Sequence, residues 1–335
     1  MTMCPDMERV ERERNRRLSI FEIIPGTEKE RRPRANPETC VKEYSRSAAG
    51  RDIDQTRLRP PSVLLGTMDF LVDNIVARTE HQHRCVHAYD FVSDRIRSVV
   101  QDMIVQRADA ETSINILQRA VRFHILFLTE LRNVKDFNKT LCFEQLCSYL
   151  SSLLIHSETP LSLEADKNAE FSIYQLLLHF DSDRAIQDFL YRTRPTMPLS
   201  ESHTALQLVL ASSTGNFFSV FRMCEKLPYL MSCCMVQHLN ILRARALDKI
   251  QCAFYCKSFR LPVPVMTYWL KFDNDEDTVS FCKNFGMSVV DGFLTSKEKG
   301  KLDLAAVQNL ELGSSFKLLE SKKKMPRVFY VNHGE

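Results

Sequence analysis

The chain has 335 residues, 44% of them hydrophobic, with 45 Lys/Arg against 42 Asp/Glu and a formal net charge of +3. That length accommodates one elongated helical domain or two compact ones, with ample apolar material for a continuous core. No apolar run reaches about 18 residues, which argues against a transmembrane helix, and the charged run from Glu8 to Arg17 argues against a secretory leader.

Glycine is scarce, at 9 residues. Sheet-rich and dinucleotide-binding folds spend more glycine on turns and phosphate loops, so the scarcity favours helices. The 11 cysteines form no Cys-x-x-Cys pair; Cys233 and Cys234 are adjacent, and Cys252 and Cys256 lie one helical turn apart. This pattern predicts reduced, mostly buried thiols in a cytosolic or nuclear protein. Charge is uneven: residues 1–61 carry 14 Lys/Arg against 11 Asp/Glu, and residues 296–335 carry 8 against 5. A near-neutral body with mildly basic ends permits nucleic-acid contact without requiring it.

Residues 1–61 read as an extended arm that packs on the body. Glu8 to Arg17 is a charge-dense helix candidate, and Leu18, Ile20, Phe21, Ile23 and Ile24 form an apolar cluster ended by Pro25-Gly26. Val41 to Ala49 mixes docking residues (Val41, Tyr44) with charged ones (Lys42, Glu43, Arg46) and reads as a brace laid along the body, with Lys42, Glu43, Tyr44 and Arg46 as its anchor. Residues 62–258 read as a helical-repeat domain. Ser62 is the expected cap of a helix carrying Leu65, Met68, Leu71, Val72, Ile75 and Val76 on one face. A second helix runs through Phe91 to Ile104 and a third from about Thr112. Further helices are expected at 141–155, 168–179, 182–192, 202–213, 216–225, 229–235 and 237–258, joined by short links with Pro160, Pro195, Pro198, Gly215 and Pro228 as breakers. Amphipathic helix pairs that cannot bury their faces alone stack into a superhelix. Residues 259–335 differ. Short helices through Trp269 and over Asp275–Asn284 precede strand candidates at Met287–Val290, Phe293–Leu294, Ser315–Leu319 and Val328–Val331, which together suggest a winged-helix module and a basic tail.

Several stretches resemble one family. Lys42-Glu43-Tyr44-Ser45-Arg46-Ser47-Ala48-Ala49, then Leu58-Arg59-Pro60, then Met68-Asp69-Phe70-Leu71 resemble the entry to the domain of the GANP family. That family includes the germinal-centre-associated nuclear protein, a yeast mRNA-export scaffold (suppressor of actin, three) and a short animal homologue. Cys4-Pro5-Asp6-Met7, Asp90-Phe91-Val92-Ser93-Asp94-Arg95-Ile96-Arg97 and Arg122-Phe123-His124 resemble its other motifs, in the same order, from residue 4 to about residue 295. The length is most like that of the short homologue. The resemblance implies an all-α, tetratricopeptide-like superhelix followed by a winged helix, the arrangement of the PCI proteins.

The remaining constellations read as structural. His81, His83, Cys85 and His87 offer four potential metal ligands in seven residues, but alternate positions on a helix cannot all converge, and a polar linker is expected. Cys4-Pro5 lacks the second Cys-Pro that usually follows it in the family. His124 sits in an apolar helix and is expected to be a satisfied core histidine. Arg95 and Arg97, beside Asp90, Asp94 and Asp102, read either as intrahelical pairs or as the seat of the arm through Glu43 or Tyr44. No phosphate loop, His-Glu-x-x-His or Gly-x-Ser-x-Gly occurs, so no enzyme and no cofactor is expected.

The expectation is therefore a non-enzymatic scaffold whose winged helix pairs through Phe285, Met287, Val289 and Phe293. The resemblance implies that the partner is a PCI-domain protein of the nuclear transcription-export complex, joined by the small acidic Dss/Sem protein. It further implies mRNA export, roles in centrosome duplication and mitotic spindle organisation, and residence in nucleus and cytoplasm and at the centrosome. The rival reading is a stand-alone RNA- or DNA-binding winged helix using Lys257, Arg260, Lys271, Lys283, Lys297, Lys299 and Lys301.

Overall fold

A computed structural model describes residues 2–46, 54–79, 86–156, 165–193, 200–254, 260–296, 307 and 318–334. The chain is mostly helical and divides into two compact units. One comprises Met1–Leu161 with Met325–Gly334, and the other Ser162–Lys324.

The first unit opens with α1 (Asp6–Arg14), which begins two residues earlier than the charge run suggests, with Asp6 and Glu8 in its first turn and Arg12 and Arg14 in its last, each sign matched to the helix dipole. Between α1 and the next helix the described residues hold no regular structure apart from a bridge between Ile23 and Ala35 and a 3-10 turn at Gln55–Arg57. α2 (Pro61–Phe70) starts on Pro61, and Ser62 makes no capping bond; Pro60 holds the N-cap position and the fixed φ of Pro61 starts the helix instead. The helix continues as a π-turn, Leu71–Val76. Its buried face carries Leu64 rather than Leu65, and the wider turn brings Leu71, Val72, Ile75 and Val76 all inward.

α3 (Val86–Val105), α4 (Ala110–Glu130) and α5 (Lys139–His156) complete the core of this unit. Asp109 caps α4 by accepting from the Thr112 amide at 2.8 Å. Tyr89, Phe123, Phe127 and Phe137 form an aromatic cluster with ring centroids 4.6–5.8 Å apart.

Val328–Val331, expected as a strand, lies within a helix, Arg327–His333, of this unit. Pro326 starts it, and Arg327, Tyr330 and Val331 fall on one buried face at helical spacing, packed on α4. Packing overrides the strand preference of the β-branched residues. Arg122 of α4 donates to the Asn332 carbonyl at 3.1 Å, and Arg327 pairs with Glu130 at 2.7 Å and donates to the Thr79 carbonyl.

The second unit contains α6 (Ala165–Leu178), α7 (Asp183–Thr193), α8 (Ser200–Thr214), α9 (Phe217–Cys224), α10 (Tyr229–Val236) and α11 (Leu239–Phe254). Consecutive helices pack in pairs, α6 on α7 and α8 on α9. Every residue of α10 is buried, as expected of a helix that is apolar all round.

A small mixed module follows: β1 (Leu261–Pro262), α12 (Val263–Leu270), α13 (Asp275–Lys283), β2 (Met287–Val290) and β3 (Phe293–Ser296). The strands form an antiparallel sheet in the order β1-β3-β2, with Val290 opposite Phe293 across a two-residue turn at Asp291-Gly292. Both turn residues have positive φ, +51° and +79°, the geometry that matches the twist of a tight hairpin. Of the Ser315–Leu319 strand candidate, residues 315–317 lie outside the described residues; Leu318 and Leu319 are buried, outside any strand, and lead into a 3-10 turn, Glu320–Lys322. Lys322 is seated by donating to the Cys224 carbonyl and the Ser232 hydroxyl at 2.6 and 2.7 Å. No described helix is long and apolar enough to cross a membrane.

Candidate functional sites: the arm seat and the hairpin face

The arm is held to α3 by two clusters of charge. At the centre of the first is Glu22, fully buried although it sits within the apolar run Leu18–Ile24. Its carboxylate accepts from Arg12 at 2.9 and 3.0 Å and from Arg95 of α3 at 3.3 Å, and from the backbone amides of Val41 and Ser19 at 3.0 and 3.1 Å. Arg12 is also fully buried. Burial is the largest influence and lowers its pKa, but Glu22, Cys40 and Cys4 together outweigh it and the guanidinium is held above its ordinary value. Glu43 adds a second carboxylate, 3.5 Å from Arg12, 3.3 Å from Arg17 and 3.6 Å from Arg95. Arg95 also pairs with Asp94 and stacks on Phe91 at 4.7 Å; Phe21 of the arm lies 5.1 Å from the same ring.

The second cluster centres on Asp102 of α3. It accepts from Lys42 at 2.7 Å and from the Arg59 side chain at 2.8 Å. Lys42 further donates to the Arg57 carbonyl, and Arg59 to Ser98, at 3.0 and 2.8 Å. Burial depresses the Arg59 pKa, which Asp102 only partly restores. Between the clusters, the Tyr44 amide donates to Asp94 at 3.2 Å, and the Arg97 guanidinium lies over the Tyr44 ring at 3.9 Å.

Of the four anchor residues read from the sequence, Lys42, Glu43 and Tyr44 therefore meet α3, while Arg46 is exposed. Of the two readings of Arg95 and Arg97, the seat of the arm is the one that accounts for most of their contacts. The charge pattern alone did not single out Arg12, Glu22 or Arg59. A lone glutamate inside an apolar run was the available signal for Glu22.

The cysteine motif has a second member that spacing does not reveal. Arg12 donates to both Cys4 and Cys40, at 3.4 and 2.8 Å, and both thiols are buried. The hydrogen bond they share lowers the Cys4 pKa and raises that of Cys40. The family pattern of adjacent Cys-Pro pairs is absent, yet a distant cysteine stands beside Cys4.

His124 is fully buried. Nδ1 lies 2.7 Å from the Ala120 carbonyl and Nε2 3.1 Å from Gln145. Burial drives its pKa down to about 4. His81, His83 and Cys85 lie outside the described residues; among those described, no group of three His, Cys, Asp or Glu is placed to hold a metal.

On the small module, strand alternation sorts the four expected contact residues. Met287 is only 3% exposed and belongs to the core, Val289 is half-buried on the same face, and Phe285 is half-buried against Phe281 at 5.1 Å. Met287 is thus corrected from contact residue to core residue. Phe293 is 36% exposed, and the residue paired with it, Val290, is 48% exposed. The two form an apolar outer face that the sequence reading assigned only in part. Among the expected basic contacts, Lys271 pairs with Glu225 at 3.0 Å and lies over Tyr268 at 4.2 Å, while Arg260 and Lys283 are exposed. Lys257, Lys297, Lys299 and Lys301 lie outside the described residues.

Together these features define a helical protein with a charge-latched N-terminal arm and a small helix-and-hairpin module. Residues 3–291 match the family model of the SAC3/GANP family, and the chain belongs to that family. It is 27% identical over 306 residues to SAC3 family protein B of Arabidopsis thaliana, covering 86% of this chain and 17% of that protein. It is 25% identical to Protein xmas of Drosophila melanogaster, over 99% of this chain and 17% of that one. It is 28% identical to SAC3 family protein 1 of Schizosaccharomyces pombe, over 86% of this chain and 30% of that one. The chain thus spans between about a sixth and a third of the length of these relatives.

Two outcomes follow from this geometry. Glu22→Gln leaves Arg12 and Arg95 buried with one carboxylate fewer and is expected to lower unfolding free energy by about 3 kcal/mol. Tyr44→Ala removes one half-buried ring contact and should cost about 1 kcal/mol. Urea denaturation of the two variants measures both, and an equal cost would show that the charge cluster does not dominate the seat.

The second concerns pH. The folded-state pKa of His124, about 4, lies below its ordinary 6.5. Between those values the unfolded chain binds the extra proton, so stability is fully present above pH 6.5 and falls as pH drops towards 4. The loss is on the order of 3 kcal/mol. His124→Gln should flatten this part of the stability profile; an unchanged slope from pH 6.5 to 4 would show that other groups set it.

Proposed function

We propose that the chain is a non-enzymatic scaffold whose helical pairs form a tetratricopeptide-like body and whose residues 261–296 form a winged helix. The order β1-α12-α13-β2-β3, with β1 paired to β3, supports that reading of the module. The single observation that carries the pairing function is the outward apolar pair Val290 and Phe293 on the hairpin. Two apolar side chains side by side on a solvent-facing strand pair form the centre of a contact.

In this reading the module docks beside the winged helix of a PCI-domain protein of the transcription-export complex, with the small acidic Dss/Sem protein in the same assembly. The assembly serves nuclear mRNA export and, in the same reading, centrosome duplication and spindle organisation. Family membership supports the scaffold role. The stand-alone nucleic-acid reading draws less support, because Lys271 is already engaged by Glu225.

The test is affinity purification of the tagged chain from cells, with identification of the chains that come with it. Recovery of a PCI protein and the Dss/Sem protein is expected. Val290→Glu with Phe293→Glu should reduce that recovery by about tenfold or more while the protein stays folded. Met287→Glu should instead destabilise the module. Recovery of neither partner would overturn the proposal, and tight, steeply salt-dependent binding of single-stranded RNA by the chain alone would favour the rival module.

A further inference from the structure

A cavity of about 440 Å³ opens on the second unit among α9, α11 and α12, within the range of clefts that hold ligands, roughly 300–1,000 Å³. Its walls include Phe217, Phe218, Phe221, Phe254 and Trp269, and among the described residues the only charged one in its lining is Lys249. Phe218 and Phe254 are 49% and 51% exposed, so its rim is apolar and open to solvent.

The Lys249 side chain is exposed, and its ammonium lies over the glycine that ends α8. Gly215, at φ +72°, follows α8, and a Cβ there would stand 1.6 Å from Lys249 Nζ. A side chain at 215 would be strained by the positive φ and would move the flexible tip of Lys249 aside. Nζ lies 3.5 Å from the Thr214 carbonyl and 5.4 Å from the Phe217 ring. An ammonium has three N–H groups, and among the described residues one distant carbonyl accepts from it. The cavity therefore combines an apolar pocket with one cation that has donor capacity left over.

We propose that this cavity is a docking site for a peptide segment of a partner protein carrying a large aromatic or aliphatic side chain with a carboxylate about one helical turn away. The anchor side chain fills the aromatic pocket and the carboxylate meets Lys249. Charge complementarity selects an acidic segment over a basic one, and an exposed aromatic rim suits a helix laid into a groove. None of the lining residues belongs to the β2–β3 hairpin, so this surface and the proposed winged-helix contact are tested independently.

The chain contains a single tryptophan, Trp269, and it lines this cavity, so its emission reports occupancy. Three tryptophan-free synthetic amphipathic peptides, identical except for Asp, Ser or Lys one turn from a Phe/Leu anchor pair, are titrated into the full chain. The Asp peptide is expected to shift Trp269 emission to shorter wavelength and to bind at least about tenfold more tightly than the Lys peptide. Lys249→Glu should reverse that order, Lys249→Arg should keep it, and Phe218→Ser should weaken all three peptides. An unchanged order after Lys249→Glu, or no emission change with any peptide, would overturn the proposal. Binding of the small anionic dye anilinonaphthalene sulfonate without binding of any peptide would overturn it in favour of a small-molecule site.

Discussion

The buried carboxylate of Glu22 is the constraint on which the N-terminal architecture depends. A charge removed from water costs several kcal/mol unless it is paired and its remaining lone pairs are filled. Glu22 meets that requirement with two guanidiniums and two backbone amides drawn from four places in the chain, around residues 12, 19, 41 and 95. Each partner sits on a different segment, so the carboxylate is satisfied only when the helix α1, the loop after it, the brace and α3 are all in place. An apolar residue at this position would have tolerated several arrangements of the arm. The ion cluster favours one.

The same logic runs through Asp102, one and a half turns further along α3 than Arg97. It gathers Lys42 from the brace and Arg59 from the segment before α2. Arm and body thus share two charge centres of opposite character on one helix, the cationic Arg95 and the anionic Asp102. A brace displaced towards the start of α3 would bring Lys42 towards Arg95, and one displaced the other way would bring Glu43 towards Asp102, either placing like charges together. The alternation of Lys42 and Glu43 therefore fixes register as well as attachment. The Tyr44 ring on Arg97 adds a contact whose strength depends less on burial.

How much of this the sequence discloses depends on the kind of interaction. Helix-forming periodicity was readable because burial of one face repeats every three to four residues, and the helices of both units fall close to where apolar spacing puts them. The Met287–Val290 and Phe293 strands were marked by the Asp291-Gly292 turn. Three features were not readable for identifiable reasons. Leu64 and Leu65 are adjacent in α2, and each stands at helical spacing from Met68, so the pattern assigns Leu65 to the face where Leu64 is buried. Arg327–His333 looks like a strand because Val328 and Val331 are β-branched, and only packing on α4 settles the matter. The charged partners Arg12 and Arg95 of Glu22 lie 10 and 73 residues away, and charge complementarity at that separation leaves no local pattern.

The two chemically distinct surfaces of the second unit arise from the same economy. Strand alternation commits Met287 and Leu294 to the core and thereby forces their neighbours Val290 and Phe293 outward, where the chain keeps apolar rather than polar side chains. At the other surface, Gly215 gives up the conformational restraint of a side chain after α8, and the space it leaves is occupied by the Lys249 amine. Both choices are compatible with local stability: Val290 and Phe293 form a cross-strand pair of the kind that supports a hairpin, and Gly215, at φ +72°, ends α8 with its amide donating to the Ser212 carbonyl and that of Asn216 to the Ala211 carbonyl. What distinguishes the two surfaces is therefore not a stability deficit but their composition: an apolar strand pair turned to solvent at one, and an aromatic-lined cavity with Lys249 in its wall at the other.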